Sequence, residues 1–318
     1  MSFDEILNSY GINNYNVERV RSAYKISSDK NNFLVKKFNS ERKLMNTYKI
    51  LNYLSKNNFR YTNRICKNNY GKFCFEIGGK FYGFFNWIDG REANFKNHKE
   101  ILKCTRMIYK FHDCVKNLNY NHMDIKDNSD WIKKLNLDVK NLCDIEKKIL
   151  KKFYVDKLDK FYLLNVKRAI HKIINIIKFL EENDFSKYSR NNKIICHDSL
   201  YYQNFLIKNH KVYIIDFGGI CINNRIYDLA RFARRIFYKN KFDFTILNNI
   251  YNIYNELYRF NDFEKFIFCK YLDYPYKFVR LSCKFYLKDT NMKSDKLFCK
   301  FIKYVDYELN FNERYDFI

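Results

Sequence analysis

The stretch KIICHDSLYYQNFLIKNHKVYIIDFGGI, residues 193–220, carries the side chains best suited to chemistry. Within it, NFLIK and KVYIID are apolar runs rich in β-branched and aromatic residues, joined around Asn209 and His210, which tolerate turn conformations. An antiparallel hairpin is expected, and its open end would bring Asn204 and Asp216 into one neighbourhood. An amide oxygen beside a carboxylate suits a magnesium ion, which prefers oxygen ligands and leaves its remaining positions to phosphate and water.

The elements that must hold this hairpin change character along the chain. Residues 19–38 read as two strands, ERVRSAYKI and NNFLVKKF, flanking the polar turn SSDKNN. A helix is expected over 40–56, with Ser40 as N-cap, Glu41 just inside, and Leu44, Tyr48, Leu51 and Leu54 at helical spacing. Strands are expected near 73–77 and 80–87. From about 97 to 118 the residues Ile101, Cys104, Ile108, Phe111, His112 and Val115 mark one face of a long amphipathic helix, and most of 143–182 is also helical in period. The expected fold is α+β, with a small β-rich N-terminal lobe over 1–90 and a large, mainly helical lobe over 91–318 that carries the hairpin. Pro275 is the sole proline, so any boundary is a short hinge rather than a linker.

Composition narrows the function classes. A chain of 318 residues can bury a large core, and 47% hydrophobic with 30% charged content is that of a globular protein. No apolar run approaches the roughly 20 residues of a membrane span. The opening MSFDEILNSYGI carries acids where a secretory signal needs positive charge, so cytoplasmic synthesis is expected. The 59 Lys and Arg against 35 Asp and Glu give +24, which would attract polyanions, but the basic residues are dispersed and no base-reading motif accompanies them. Abundant Lys, Asn, Ile, Phe and Tyr fit the codon bias of an AT-rich genome, and no specific nucleic-acid partner is expected. The ten cysteines include no Cys-x-x-Cys pair, which points to reduced, buried thiols rather than a zinc site.

The order His197, Asn204, Asp216 and then Asp228 in IYDLARFARRI resembles the aminoglycoside and choline phosphotransferase branch of the protein-kinase-like fold, and within it the CotS-type spore coat proteins. NFLVKKF, NWIDGRE and YKFHD extend the likeness over most of the chain. The resemblance implies a two-lobed kinase-like fold, with Asn204 and Asp216 as metal ligands, Asp216-Phe217-Gly218 as the metal-binding triplet, His197 as a core histidine and Asp228 as a brace of the catalytic loop. Lys36 would hold nucleotide phosphates with Glu41 as its helix partner, and ATP with Mg2+ would be the cofactors of a retained site. In such kinases a His-x-Asp-x-x-x-x-Asn loop supplies the catalytic base. Counted from His197, the base position falls on Ser199, and the acid stands one place early, at Asp198. A serine hydroxyl has no useful basicity near neutral pH. No glycine occurs between Gly11 and Gly71, so a Gly-rich phosphate loop is also missing. These departures favour a structural or scaffolding coat protein with other coat proteins as partners and the spore coat as destination. The alternative is an active small-molecule or protein kinase using Asp198 through a shifted loop. Exposed tyrosines would serve coat cohesion, and Tyr201 and Tyr202 could fill the former site.

Overall fold

The computed structural model describes residues 3–29, 31–288 and 294–310. The chain packs as two compact units, Met1–Asp127 with Ile194–Arg259, and Asn128–Lys193 with Phe260–Ile318. In the first unit a short helix, α1 (Phe3–Ser9), leads into β1 (Tyr15–Val20), β2 (Ala23–Ser28) and β3 (Asn32–Phe38). With β4 (Cys74–Ile77) and β5 (Lys80–Asn86) these form a five-stranded antiparallel sheet of order β1-β2-β3-β5-β4. ERVRSAYKI is therefore not one strand. It reverses at Arg21-Ser22, where Val20 pairs with Ala23 and Arg21 takes a left-handed φ of 58°. A two-residue turn of this hand matches strand twist, and Arg21 adopts it without glycine. An ion pair with Glu92 holds the Arg21 side chain.

One face of the sheet buries Ile26, Val35, Phe75 and Phe84 against Ile6, Leu7 and Ile12. The helix α2 (Glu41–Lys56) starts at Ser40, whose Oγ accepts the Lys43 N–H at 3.4 Å, and buries Leu44, Thr47, Ile50, Leu51 and Leu54. Gly83 of β5 permits close approach, because a Cβ there would stand 2.7 Å from Leu44 Cδ1. Beyond the two-residue β6 (Arg91–Glu92), the helix α3 (His98–Val115) buries the stripe expected for it, Ile101, Cys104, Ile108, Phe111, His112 and Val115.

The second unit is helical in its described residues, beginning with α4 (Trp131–Leu150), α5 (Lys157–Glu182) and α6 (Phe185–Asn191). The expected helical run through 143–182 is interrupted after Leu150 because Asp156 and Asp159 form a capping box that starts α5 afresh. The chain then returns to the first unit as β7 (Ile194–Cys196), β8 (Phe205–Lys208), β9 (Lys211–Ile214), β10 (Cys221–Asn223), α7 (Arg225–Lys239) and α8 (Phe244–Tyr258). It closes in the second unit with α9 (Asp262–Asp273), α10 (Tyr276–Tyr286) and α11 (Ser294–Asn310). Aromatic residues pack this unit: Trp131 stacks on Tyr271 at 3.8 Å and Tyr162 on Phe278 at 5.4 Å. Its buried acids are paired, Asp138 with Lys134 and the Tyr274 hydroxyl, and Asp159 with Lys152 and the Tyr286 hydroxyl. Among the described residues no helix is long and apolar enough to cross a membrane.

Candidate functional site

The hairpin forms as β8 and β9, with Phe205 opposite Ile214 and Ile207 opposite Val212. Asn209 and His210 make its turn at φ of 48° and 61°, both left-handed. At the open end the Ile215 N–H donates to the Asn204 carbonyl at 2.9 Å, which sets Asn204 and Asp216 beside each other. Behind Asp216, Phe217 is buried, 4.7 Å from the His197 ring and 5.5 Å from that of Phe111. The Gly218 N–H donates to Asp216 Oδ1 at 3.4 Å.

Lys36 of β3 forms an ion pair with the same Asp216 oxygen. Burial works against the Asp216 charge, yet Lys36, as neighbouring cation and hydrogen-bond donor, holds its carboxyl below the usual range. Lys36, Asn204 and Asp216 line one cavity of about 260 Å3, walled elsewhere by apolar groups such as Leu34, Leu51 and Trp87. Glu41 lies apart from this pairing: it is exposed in the first turn of α2, and that helix turns Thr47 and Leu51 to the cavity instead. Arg21 and Ser22 of the β1–β2 turn also line it.

The donor set fits a hard divalent cation. Asn204 commits its amide Nδ2 to the Ser199 carbonyl at 2.7 Å, leaving its own side-chain oxygen as the ligand atom beside the Asp216 carboxylate.

Several residues of the loop leading to Asn204 are held in place. His197 is buried, its N–H donates to Asp228 Oδ2 at 2.7 Å, and its Nε2 meets the Ile215 carbonyl at 3.0 Å. Asp198 takes a left-handed φ of 61° and donates its N–H to Asp228 Oδ1 at 3.0 Å. Its carboxylate turns to α7, where Oδ1 accepts the Tyr227 hydroxyl at 2.6 Å and pairs with Arg231 Nη1 at 2.8 Å. Ser199 donates its N–H to His197 Nδ1 at 3.3 Å, and its hydroxyl sits so close to Gly219 that a Cβ there would lie 2.9 Å away. Tyr201 lies under the Arg235 guanidinium at 3.9 Å and Tyr202 under Lys239 at 4.2 Å, so neither ring fills the cavity.

Asp228 is fully buried near the start of α7 and also meets His112 Nε2 at 3.3 Å, while His112 Nδ1 meets the Tyr254 hydroxyl at 2.7 Å. Burial pushes both His112 and His197 down, keeping the rings neutral. Burial opposes the Asp228 charge, but the donors from His112 and His197 hold its carboxyl below the ordinary value. His112, Cys196 and Asp228 stand together closely enough to suggest a metal, yet each ligand atom is used within the protein; Cys196 Sγ lies 3.2 Å from the Asn224 carbonyl. Burial raises the Cys196 thiol well above its normal range, so it packs rather than reacts. Tyr227 and Arg231, which the sequence offers only as polar positions of an amphipathic helix, are what decide where Asp198 points.

A sheet-rich N-terminal region, a helix-rich C-terminal region and this hairpin together define the kinase-like phosphotransferase fold. Solved structures agree. An aminoglycoside phosphotransferase from Alicyclobacillus acidocaldarius superposes with a TM-score of 0.84 at 15% identity, covering 98% of this chain and 94% of that one. Spectinomycin phosphotransferase APH(9)-Ia bound to AMP gives 0.70 at 15% identity over 98% of both chains. Choline kinase LicA from Streptococcus pneumoniae gives 0.58 at 13% identity, covering 96% of this chain and 97% of that one. At such identities the likeness establishes the fold. The chain belongs to the family of the spore coat putative kinase YutH, which it matches over residues 4–315. No curated protein matches it.

Proposed function

We propose that this chain is a structural or scaffolding component of the spore coat, held there by contacts with other coat proteins, whose kinase-like fold no longer transfers phosphoryl groups. The observation that carries this reading is the bond from Asn204 Nδ2 to the Ser199 carbonyl. It holds Ser199, five residues before Asn204, the position to which counting along a His-x-Asp-x-x-x-x-Asn loop assigns the catalytic carboxylate. Phosphoryl transfer needs an acceptor hydroxyl oriented by a carboxylate; a serine hydroxyl does not supply that. The acid one place earlier, Asp198, already accepts Tyr227 and Arg231. Its Oδ1 would have to leave both donors before it could orient an acceptor hydroxyl.

Asn204 and Asp216 would hold magnesium, which when bound neutralises phosphate charge and bridges phosphate oxygens. Lys36 would meet the phosphates once released from Asp216. This gathering of Lys36, Asn204 and Asp216 in one cavity favours the second reading, an ATP-dependent small-molecule or protein kinase that uses Asp198 after a change in the loop. Spores lacking the chain and supplied with Asp198→Asn or Asp216→Asn separate the two. A structural role predicts coats with normal protein composition and normal incorporation of either variant, whereas equal coat defects in both would favour phosphotransfer.

A further inference from the structure

The β8–β9 hairpin has a second end, and its turn walls a separate cavity of about 210 Å3. Lys103, Arg106 and Lys110 reach it from one face of α3, and His210 and Lys211 from the turn. Tyr61, Met107 and Val212 complete the lining, which among the described residues contains no carboxylate. Dispersed lysines on this chain are ordinary solvated charges, but here the side chains of four cationic residues and a histidine wall one concave space.

The walls are tied to one another. Lys103 Nζ donates to the His210 carbonyl at 3.5 Å, Lys110 Nζ stands 5.2 Å from the centre of the Tyr61 ring, and the Ile214 N–H donates to the Tyr61 carbonyl at 2.8 Å. The left-handed backbone at Asn209 and His210 fixes where the turn projects. Glu100, one turn before Lys103, is engaged by the Arg91 guanidinium at 2.6 and 3.1 Å. Like charges assembled on a fixed frame repel one another, and a multivalent anion relieves that repulsion while accepting several charge-assisted hydrogen bonds. A monoanion would leave most of the positive charge unbalanced. Guanidinium and ammonium groups, as Arg106 and the lysines of this wall carry, are the donors that tetrahedral phosphate oxygens accept from.

We propose that this cavity is a binding site for a small polyphosphate anion, distinct from the cavity that holds Lys36 and Asp216. The proposal stands whether or not the chain transfers phosphate. Tripolyphosphate titrated by calorimetry into the whole protein, at fixed ionic strength, is expected to bind saturably with one equivalent at this site. The triple variant Lys103→Gln, Arg106→Gln, Lys211→Gln is expected to weaken that binding by about tenfold or more, as loss of charge-assisted bonds requires. Removing the same charge elsewhere, with Lys147→Gln, Lys151→Gln and Lys157→Gln, is expected to leave it unchanged, as is Lys36→Gln. Equal weakening by the distant triple variant would assign the effect to net charge and overturn the proposal. Loss of binding in Lys36→Gln would move the ligand to the other cavity and overturn it too, and equally tight binding of citrate would refute the phosphate class. Absence of saturable binding would do the same.

Discussion

The two ends of one short stretch of chain have had different fates. At the open end of the β8–β9 hairpin, Asn204 and Asp216 stand side by side with Lys36 beside them, the arrangement that a metal and phosphates would need. A few residues earlier, the loop carries Ser199 at the position we assign to the carboxylate, and its neighbouring acid is turned to Tyr227 and Arg231. The difference teaches that the parts of a phosphotransferase site are separable. Hairpin geometry is maintained by strand pairing, which also serves the fold. On the proposed reading the catalytic carboxylate serves only the reaction, and its loss leaves the scaffold intact.

Substitutions can test how deep that separation runs. Asp228 supports both regions through its bonds to His197, Asp198 and His112, so Asp228→Ala should have the largest effect. Leaving those buried donors unpaired should cost about 3–5 kcal/mol, read as a lower urea midpoint, with Asp228→Asn losing less. Because its carboxyl is held low in the folded state, the Asp228 contribution is present above the unfolded pKa and is lost as pH falls through the folded one. Acid unfolding of the wild type should therefore narrow its stability advantage over Asp228→Asn. A gap that stays constant into strong acid would break the account of Asp228 as a charged brace.

Asn204→Ala should have an intermediate effect. It removes the clamp on Ser199 and should cost about 1–2 kcal/mol, with faster proteolysis in the segment 199–203. Unchanged proteolysis would mean that the loop is pinned by Asp228 alone. The smallest effect belongs to Lys36→Met. Both members of the Lys36–Asp216 pair are partly open to solvent, so stability should fall by less than about 1 kcal/mol. The Asp216 carboxyl should nevertheless titrate higher in that variant by NMR, since Lys36 is what holds it down. The pair's contribution is present above the unfolded pKa of Asp216 and disappears as pH falls through its folded pKa.

How much of this could be read from sequence depends on how local each feature is. The β8–β9 hairpin could be read because its strands alternate around Asn209-His210, and the stripe on α3 because Ile101, Cys104, Ile108 and Phe111 repeat at helical spacing. The β1–β2 reversal could not, since Arg21-Ser22 carries none of the glycine or asparagine that usually marks such a turn. The partner of Lys36 was equally hidden. Glu41 is near it in sequence, but the phase of α2 turns Thr47 and Leu51 to the cavity and leaves Asp216, on a distant hairpin, to take the ammonium. The orientation of Asp198 depends on Tyr227 and Arg231, which reach it only after β10 returns the chain beside β7. Counting along the loop locates the displaced acid; only the fold says which way it faces.

That the loop lacks a working base is the core of the proposed reading. It is tested most directly by following phosphoryl release or transfer from Mg-ATP by the purified chain, alongside Asp198→Asn and Asp216→Asn. All three proteins should give the same rate as buffer, even where Mg-ATP binds. Turnover by the wild type that disappears in both variants would contradict that reading and establish Asp198 as a base.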